Sequence, residues 1–180
     1  MDKCAVFIDA GYLTKVSHSL GSPKIDFLKL SEELASPDKR LRTYYYDCPP
    51  YAGANPTLDE RDRKRKFDQF LYNIKRKPRF EVRLGRLKRY KDSDGTIKFE
   101  QKMVDILLAI DLVKLSVENN IQRAVIVTND ADFVPAIKVA RDAGVIVELY
   151  RGRSDHNDAL VEACDEWSYI DKDLIKKVKL

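Results

Sequence analysis

Residues 124–130 read Ala-Val-Ile-Val-Thr-Asn-Asp, and Ala131-Asp132-Phe133 follow. A short apolar run bounded by turn residues has the composition of a strand buried on both faces, as in a parallel sheet. This run stops at a carboxylate. A second one, Ala5-Val6-Phe7-Ile8-Asp9, stops the same way. Between them, Lys102-Met103-Val104-Asp105 heads a long apolar helix. Strands that end in Asp set acids along one rim of a sheet, and open α/β sheets bind ligands at that rim. Crowded acids repel each other unless a cation sits among them. Hard oxygen donors without thiolates suit Mg²⁺ or Mn²⁺. Asp9, Asp105, Asp130 and Asp132 are thus the candidate metal-holding and catalytic residues, and the expected chemistry is metal-dependent phosphodiester cleavage.

Outward from these runs, strands and helices alternate, which favours a mostly parallel sheet with helices on both faces. Strands are expected at 4–9, 41–47, 80–87, 124–128 and 145–150, with a short closing segment at 167–170. Residues 11–20 begin the first crossover, and helices are expected at 26–36, 58–76, 102–118, 132–143 and 156–164. Phe67, Phe70, Leu71 and Ile74 form one apolar stripe, and Pro78 stops that helix. Asp94-Gly95 between Leu87–Tyr90 and Thr96–Phe99 has the composition of a hairpin turn, giving a hairpin at about 84–100 near the site. The 102–118 helix leaves little of its surface for water, and 171–180 reads as a surface helix.

The 180 residues fit one domain spanning 1–180, and 44% apolar content gives it a core. No apolar run is long enough for a membrane span. Met1-Asp2-Lys3 leads straight into a strand, without a signal or transit peptide. Cys4, Cys48 and Cys164 are odd in number and far apart, which fits neither a zinc site nor a disulfide framework and suits the cytoplasm. The net charge of +4 is uneven. Residues 61–91 carry 14 Lys/Arg against 3 Asp/Glu, a net of +11, so the remainder is −7. A basic segment beside an acidic site suits a polyanion. Arg61, Arg63, Lys64, Arg65 and Lys66 on the helix, and Arg86, Lys88 and Arg89 on the hairpin, are the candidate nucleic-acid contacts. Tyr72 and Tyr90 offer stacking surfaces for unpaired bases.

Each acid also has a structural explanation. Asp9 can end a strand, Asp130 can cap a helix, and Asp132 can favour a helix dipole. Asp105 sits in an apolar helix, where an unpaired carboxylate is costly; Lys102 is its available ion-pair partner. Asp111 lies six residues beyond Asp105, about 240° around the helix, so it braces the site or pairs with a cation elsewhere. Asp155 and Asp158 read as a solvated loop. His18 and His156 read as surface or capping residues.

In combination, Phe7-Ile8-Asp9-Ala10-Gly11-Tyr12-Leu13, the Lys102-x-x-Asp105 helix with Asp111, and Thr128-Asn129-Asp130-Ala131-Asp132-Phe133 with Pro135, Gly144 and Val145–Tyr150 resemble the NYN domain. That family belongs to the PIN-like metal-dependent nucleases, and the pattern is most similar to the bacterial LabA-like branch. The resemblance runs from Ala5 to about Ile170. It implies a Rossmann-like α/β/α fold and an Mg²⁺ or Mn²⁺ site for RNA cleavage, with Asp9, Asp105, Asp130 and Asp132 as its acids. Two positions depart from the family pattern. Tyr12 stands where Asn is common, which touches substrate positioning, and Thr128-Asn129 replaces Ser-Gly. Asn129 and Tyr12 are therefore second-tier candidates with Asp111.

Other classes fit less well. A haloacid-dehalogenase-type phosphatase needs Asp where Gly11 stands, and Asp9–Thr14 lacks the Gly-x-Gly-x-x-Gly of a dinucleotide site. The competing reading is a non-catalytic RNA-binding or protein-interaction module on the same fold. The expected partner is RNA, or single-stranded nucleic acid generally, with no membrane; self-association stays open.

Overall fold

The structure, a computed structural model, describes residues 2–180, with Gln101 described by its backbone alone. Met1, on which the leaderless start partly rests, lies outside the described residues. The chain runs through β1 (Lys3–Asp9), α1 (Ala10–Ser19), α2 (Phe27–Ala35), β2 (Lys39–Asp47), α3 (Leu58–Lys75), β3 (Phe80–Leu84), β4 (Arg86–Lys91) and β5 (Ile97–Lys102). It continues through α4 (Val104–Val117), β6 (Arg123–Val127), a 3₁₀ turn (Ala131–Phe133), α5 (Val134–Asp142), β7 (Ile146–Gly152), α6 (Asp158–Ala163), β8 (Glu166–Ile170) and α7 (Lys172–Val178).

Six strands pair in the order β3-β2-β1-β6-β7-β8, all parallel. Side-chain alternation along β1 builds the three layers. Cys4, Val6 and Ile8 pack with residues of α1, α2, α3 and α7 on one face, and Ala5 and Phe7 pack with α4, α5 and α6 on the other. β4 and β5 form the expected antiparallel hairpin, apart from the main sheet.

Four expectations are corrected. The strand at 80–87 breaks at Gly85, so Leu87 belongs to the hairpin. A Cβ on Gly85 would lie 2.5 Å from Val104 Cγ2 and 2.6 Å from the Lys102 carbonyl oxygen, so only glycine lets the chain turn there. The apolar helix starts at Val104, two residues later than its composition suggests. Lys102 closes β5, and Met103 turns the corner at φ 77°, a left-handed conformation. The tail is docked, not a surface helix: Leu174, Ile175 and Val178 of α7 join the core, and Lys179 bridges to Ile25. Also against expectation, α4 presents Ile106, Ile110 and Val117 to water.

Candidate acidic site on the carboxyl rim

From β1 the chain moves to β2 and β3 on one side and returns to β6, β7 and β8 on the other. Such a reversal opens a crevice at the carboxyl ends of the two central strands, here β1 and β6. Asp9 is the last residue of β1 and the N-cap of α1. Its Oδ1 accepts the Tyr12 N–H at 3.1 Å. Asp130 follows β6 and caps the 3₁₀ turn, with Oδ1 accepting the Asp132 N–H at 2.9 Å. Asp105 reaches the same rim because α4, which precedes β6, runs back from the carboxyl end and holds Asp105 in its first turn. The capping expected of Asp9 and Asp130 is therefore real, and it fixes the direction of each carboxylate.

Electrostatics tie these groups together. Burial pushes the Asp9 carboxyl above its ordinary range, and the charges of Asp105 and Asp130 push it further, against the N–H groups of Tyr12 and Gly11. Burial also raises Asp105, with added repulsion from Asp130 and Asp132. Acids from three separate stretches of the chain, Asp9, Asp105 and the Asp130/Asp132 turn, thus influence one another at the rim, with Asp9 sensing both of the others. The Lys102 partner does not materialise for Asp105: Lys102 bonds Glu100, and among the described residues Asp105 has no ion-pair partner.

The patch stops short of a closed cage. Among the described residues, no three His, Cys, Asp or Glu side chains stand close enough together to hold a metal ion. The donor set still fits Mg²⁺ or Mn²⁺. Mg²⁺ commonly takes one or two carboxylates and completes its shell with water and substrate phosphate. Asn129, next to Asp130 in sequence, carries a buried Oδ1 with no hydrogen-bond partner among the described residues. A buried polar atom left bare in this way is rare, and an unseen water or ion is one explanation for it.

The remaining candidates separate. Asp111 lies down α4 from the rim, where its Oδ2 accepts the Tyr46 hydroxyl at 2.9 Å and Arg83 Nε at 3.1 Å. It pairs with a cation elsewhere, ties α4 to β2 and β3, and is not part of the patch. Tyr12 is buried. Its hydroxyl donates to Asp155 Oδ2 and accepts the Gly152 N–H at 2.8 Å, so its ring locks α1 to the end of β7. Asp155 is accordingly buried, against the expectation of a solvated residue. Asp158 is exposed in the first turn of α6, and His18 and His156 are both exposed.

One acid of the rim is missing from the sequence-based set. Asp47 ends β2 as Asp9 ends β1, and its Oδ1 accepts the Cys48 N–H at 2.7 Å. Burial, with repulsion from Asp9, raises its carboxyl to about 6. The signal that marks Asp9, an apolar strand stopping at a carboxylate, marks Asp47 as well, but the proline-rich loop that follows it looks like an ordinary turn.

The basic residues divide into two groups. On α3, Arg63 pairs with Asp59, Lys64 with Asp68, and Arg65 and Lys66 both with Asp62, while Arg61 donates to the Pro56 carbonyl. On the hairpin, Arg89 lies over Tyr51, and Arg86, Lys88 and Lys91 have no ion-pair partner among the described residues. The hairpin rises from the acidic rim, since the Gly85 N–H at its base donates to the Asp47 carbonyl at 2.9 Å and Lys102 at its end is three residues from Asp105.

Fold and rim together define a three-layer, parallel α/β protein with acids at its switch point. The NYN domain model matches residues 3–171, and the chain belongs to that family, within the PIN-like nuclease superfamily. Among solved structures, a protein of unknown function from Vibrio parahaemolyticus shares the fold at TM-score 0.65 and 17% identity, covering 99% of this chain and 96% of that one. A chain from Parabacteroides merdae, described provisionally as an oxidoreductase, matches at TM-score 0.33 and 12% identity, over 93% of this chain and 31% of that one. No curated protein matches. No helix among the described residues is long and apolar enough to cross a membrane.

Proposed function

We propose that the chain is a metal-dependent ribonuclease, working as one NYN unit in the cytoplasm. The observation that carries this reading is the gathering of acids at the switch point, where Asp105 and Asp130 act on Asp9 and Asp130 and Asp132 act on Asp105, beside a hairpin on which Arg86, Lys88 and Lys91 have no ion-pair partner among the described residues. The LabA-like affinity rests on the sequence motifs alone.

Asp9, Asp130 and Asp132 would hold Mg²⁺ or Mn²⁺, directly or through water, with Asp105 completing the set. When bound, such an ion lowers the pKa of water and neutralises charge on a phosphoryl oxygen. The chain's own residues do the rest. The Tyr12 N–H fixes the Asp9 carboxylate, and the Asp132 N–H fixes Asp130. Asp105, raised in pKa and without an ion-pair partner among the described residues, would orient or take a proton from an attacking water. Arg86, Lys88 and Arg89 hold the RNA backbone beside the rim, and the α3 cations Arg61, Arg63, Lys64, Arg65 and Lys66 add a weaker, pre-paired field.

The absence of a three-ligand cluster among the described residues favours a second reading, an RNA-binding module without catalysis. One experiment separates the two. Purified chain is incubated with mixed single-stranded RNA and DNA in Mg²⁺, Mn²⁺ or EDTA, alongside Asp9→Asn. Nuclease action predicts cleavage with metal, none with EDTA, and a loss of at least about 100-fold in the variant while RNA stays bound, in line with the cost of disturbing metal-site groups. RNA bound but intact in every metal would establish the binding module.

A further inference from the structure

A helix that is apolar around its whole circumference is normally buried on every side. In α4, Val104, Leu108 and Leu112 face the sheet and are buried, yet Ile106, Ile110 and Val117 on the opposite side are 60%, 55% and 53% exposed. Val139 of the neighbouring α5 is 41% exposed. Between the two helices runs a groove of about 630 Å³, lined by Ala109, Ile110, Val113, Val117, Pro135 and Val139. Lys114 and Asp132 supply its only charges, and neither has an ion-pair partner among the described residues.

We infer that this face is the contact between two copies of the chain, packed α4 against α4 about a two-fold axis. Three observations select a second copy as the occupant. The first is spacing. Ile106, Ile110, Val113 and Val117 fall at steps of four, three and four, the spacing of a helix–helix seam. That sequence of steps reads the same in both directions. An antiparallel copy centred between Ile110 and Val113 therefore sets Ile106 against Val117 and Ile110 against Val113, as an isologous interface requires.

The second observation is charge. Asp132 lies at the rim end of the groove, where it acts on Asp105, and Lys114 lies toward the far end of α4. Reversing one copy brings each Lys114 toward the opposite Asp132. The third is area. The exposed parts of Ile106, Ile110, Val117 and Val139 come to roughly 400 Å², near the apolar share of the ~800 Å² per partner in a standard interface.

The test is the mass of the full chain by sedimentation velocity from about 1 to 100 µM. The expected result is twice the 20.8 kDa of one chain. Ile110→Glu places a charge in the seam and should weaken association at least 100-fold without altering the circular dichroism spectrum. Leu58→Glu, 84% exposed on α3, should leave the dimer intact. An Ile110→Cys variant should form a covalent dimer with a short bis-maleimide, since the two copies of position 110 flank the axis and the native Cys4, Cys48 and Cys164 are buried; this readout stands even if Ile110→Glu fails to fold. A parent that stays monomeric at 100 µM, a dimer indifferent to Ile110→Glu, or cysteines that do not cross-link would each overturn the proposal.

Discussion

A carboxyl held near 6 at the end of a strand costs folding energy at neutral pH, and Asp47 is such a group. Its folded pKa lies above the ordinary 3.8, so the neutral form is the one the fold favours. The stabilisation is complete below 3.8 and is lost as pH rises through about 6. Asp47→Asn keeps an oxygen for the Cys48 N–H and removes the charge. It should raise stability at pH 7.5 by up to about 3 kcal/mol and by much less at pH 5, as read from urea unfolding at the two pH values. Tyr12 should behave in the opposite sense. Tyr12→Phe leaves the buried Asp155 without its donor and the Gly152 N–H without its acceptor. A loss of about 2–4 kcal/mol is expected by the same measurement. Asp9 and Asp47 are both legible as strand-terminal acids. The Tyr12–Asp155 hydrogen bond joins residues 143 positions apart, and no local pattern announces it.

At the scale of elements, the 61–91 charge is visible in sequence as a total, but its availability is not. Side chains three and four apart on a helix face each other, so α3 consumes much of its positive charge on its own Asp59, Asp62 and Asp68. Replacing Arg86, Lys88 and Lys91 with Ala should therefore weaken RNA binding more than replacing Arg63, Arg65 and Lys66. It should also reduce the salt slope of log K by about 1 for each phosphate that is no longer neutralised. Equal weakening by the two triple variants, measured by fluorescence anisotropy, would mean that pairing on α3 does not matter. Gly85 sets the hairpin against α4. Gly85→Ala would drive a methyl into Val104 and the Lys102 carbonyl, with an expected cost of about 1–3 kcal/mol and a change in the setting of Asp105. Thermal unfolding checks the first effect and RNA cleavage the second.

Across the whole molecule, the raised carboxyls of Asp9, Asp47 and Asp105 all favour the fold as pH falls, and Asp47, near 6, sets that gain just below neutrality. On the proposed function, a divalent cation would oppose the same repulsion by binding the folded state alone. At 100 times its Kd, Mn²⁺ should add about 2.7 kcal/mol, several degrees in Tm for a chain of this size. That increment should shrink as pH falls, because protons and Mn²⁺ compete for the same oxygens. A Tm indifferent to millimolar Mn²⁺ at pH 7.5 would remove the metal from the proposed function.

The apolar runs at 4–9 and 124–128, the alternating helices and the Asp-Gly hairpin are readable from residue order because each depends on periodicity and turn chemistry within a few positions. The family pattern adds the four acids by position. Strand order is not readable, and it decides everything about the rim: Asp9 and Asp130 meet only because β6 pairs with β1 after an excursion through β2, β3 and the hairpin. Lys102 and Asp105 look like a pair on one helix, but a left-handed turn at Met103 sends Lys102 to Glu100 instead. The tail looks like surface because burial depends on what packs against a helix, and α7 is covered by α2, more than 130 residues earlier in the chain. Local propensity is a property of neighbours in the chain. Proximity of charges, burial of a terminus and the bareness of one side of α4 are sums over interactions between distant segments, which only the folded arrangement specifies.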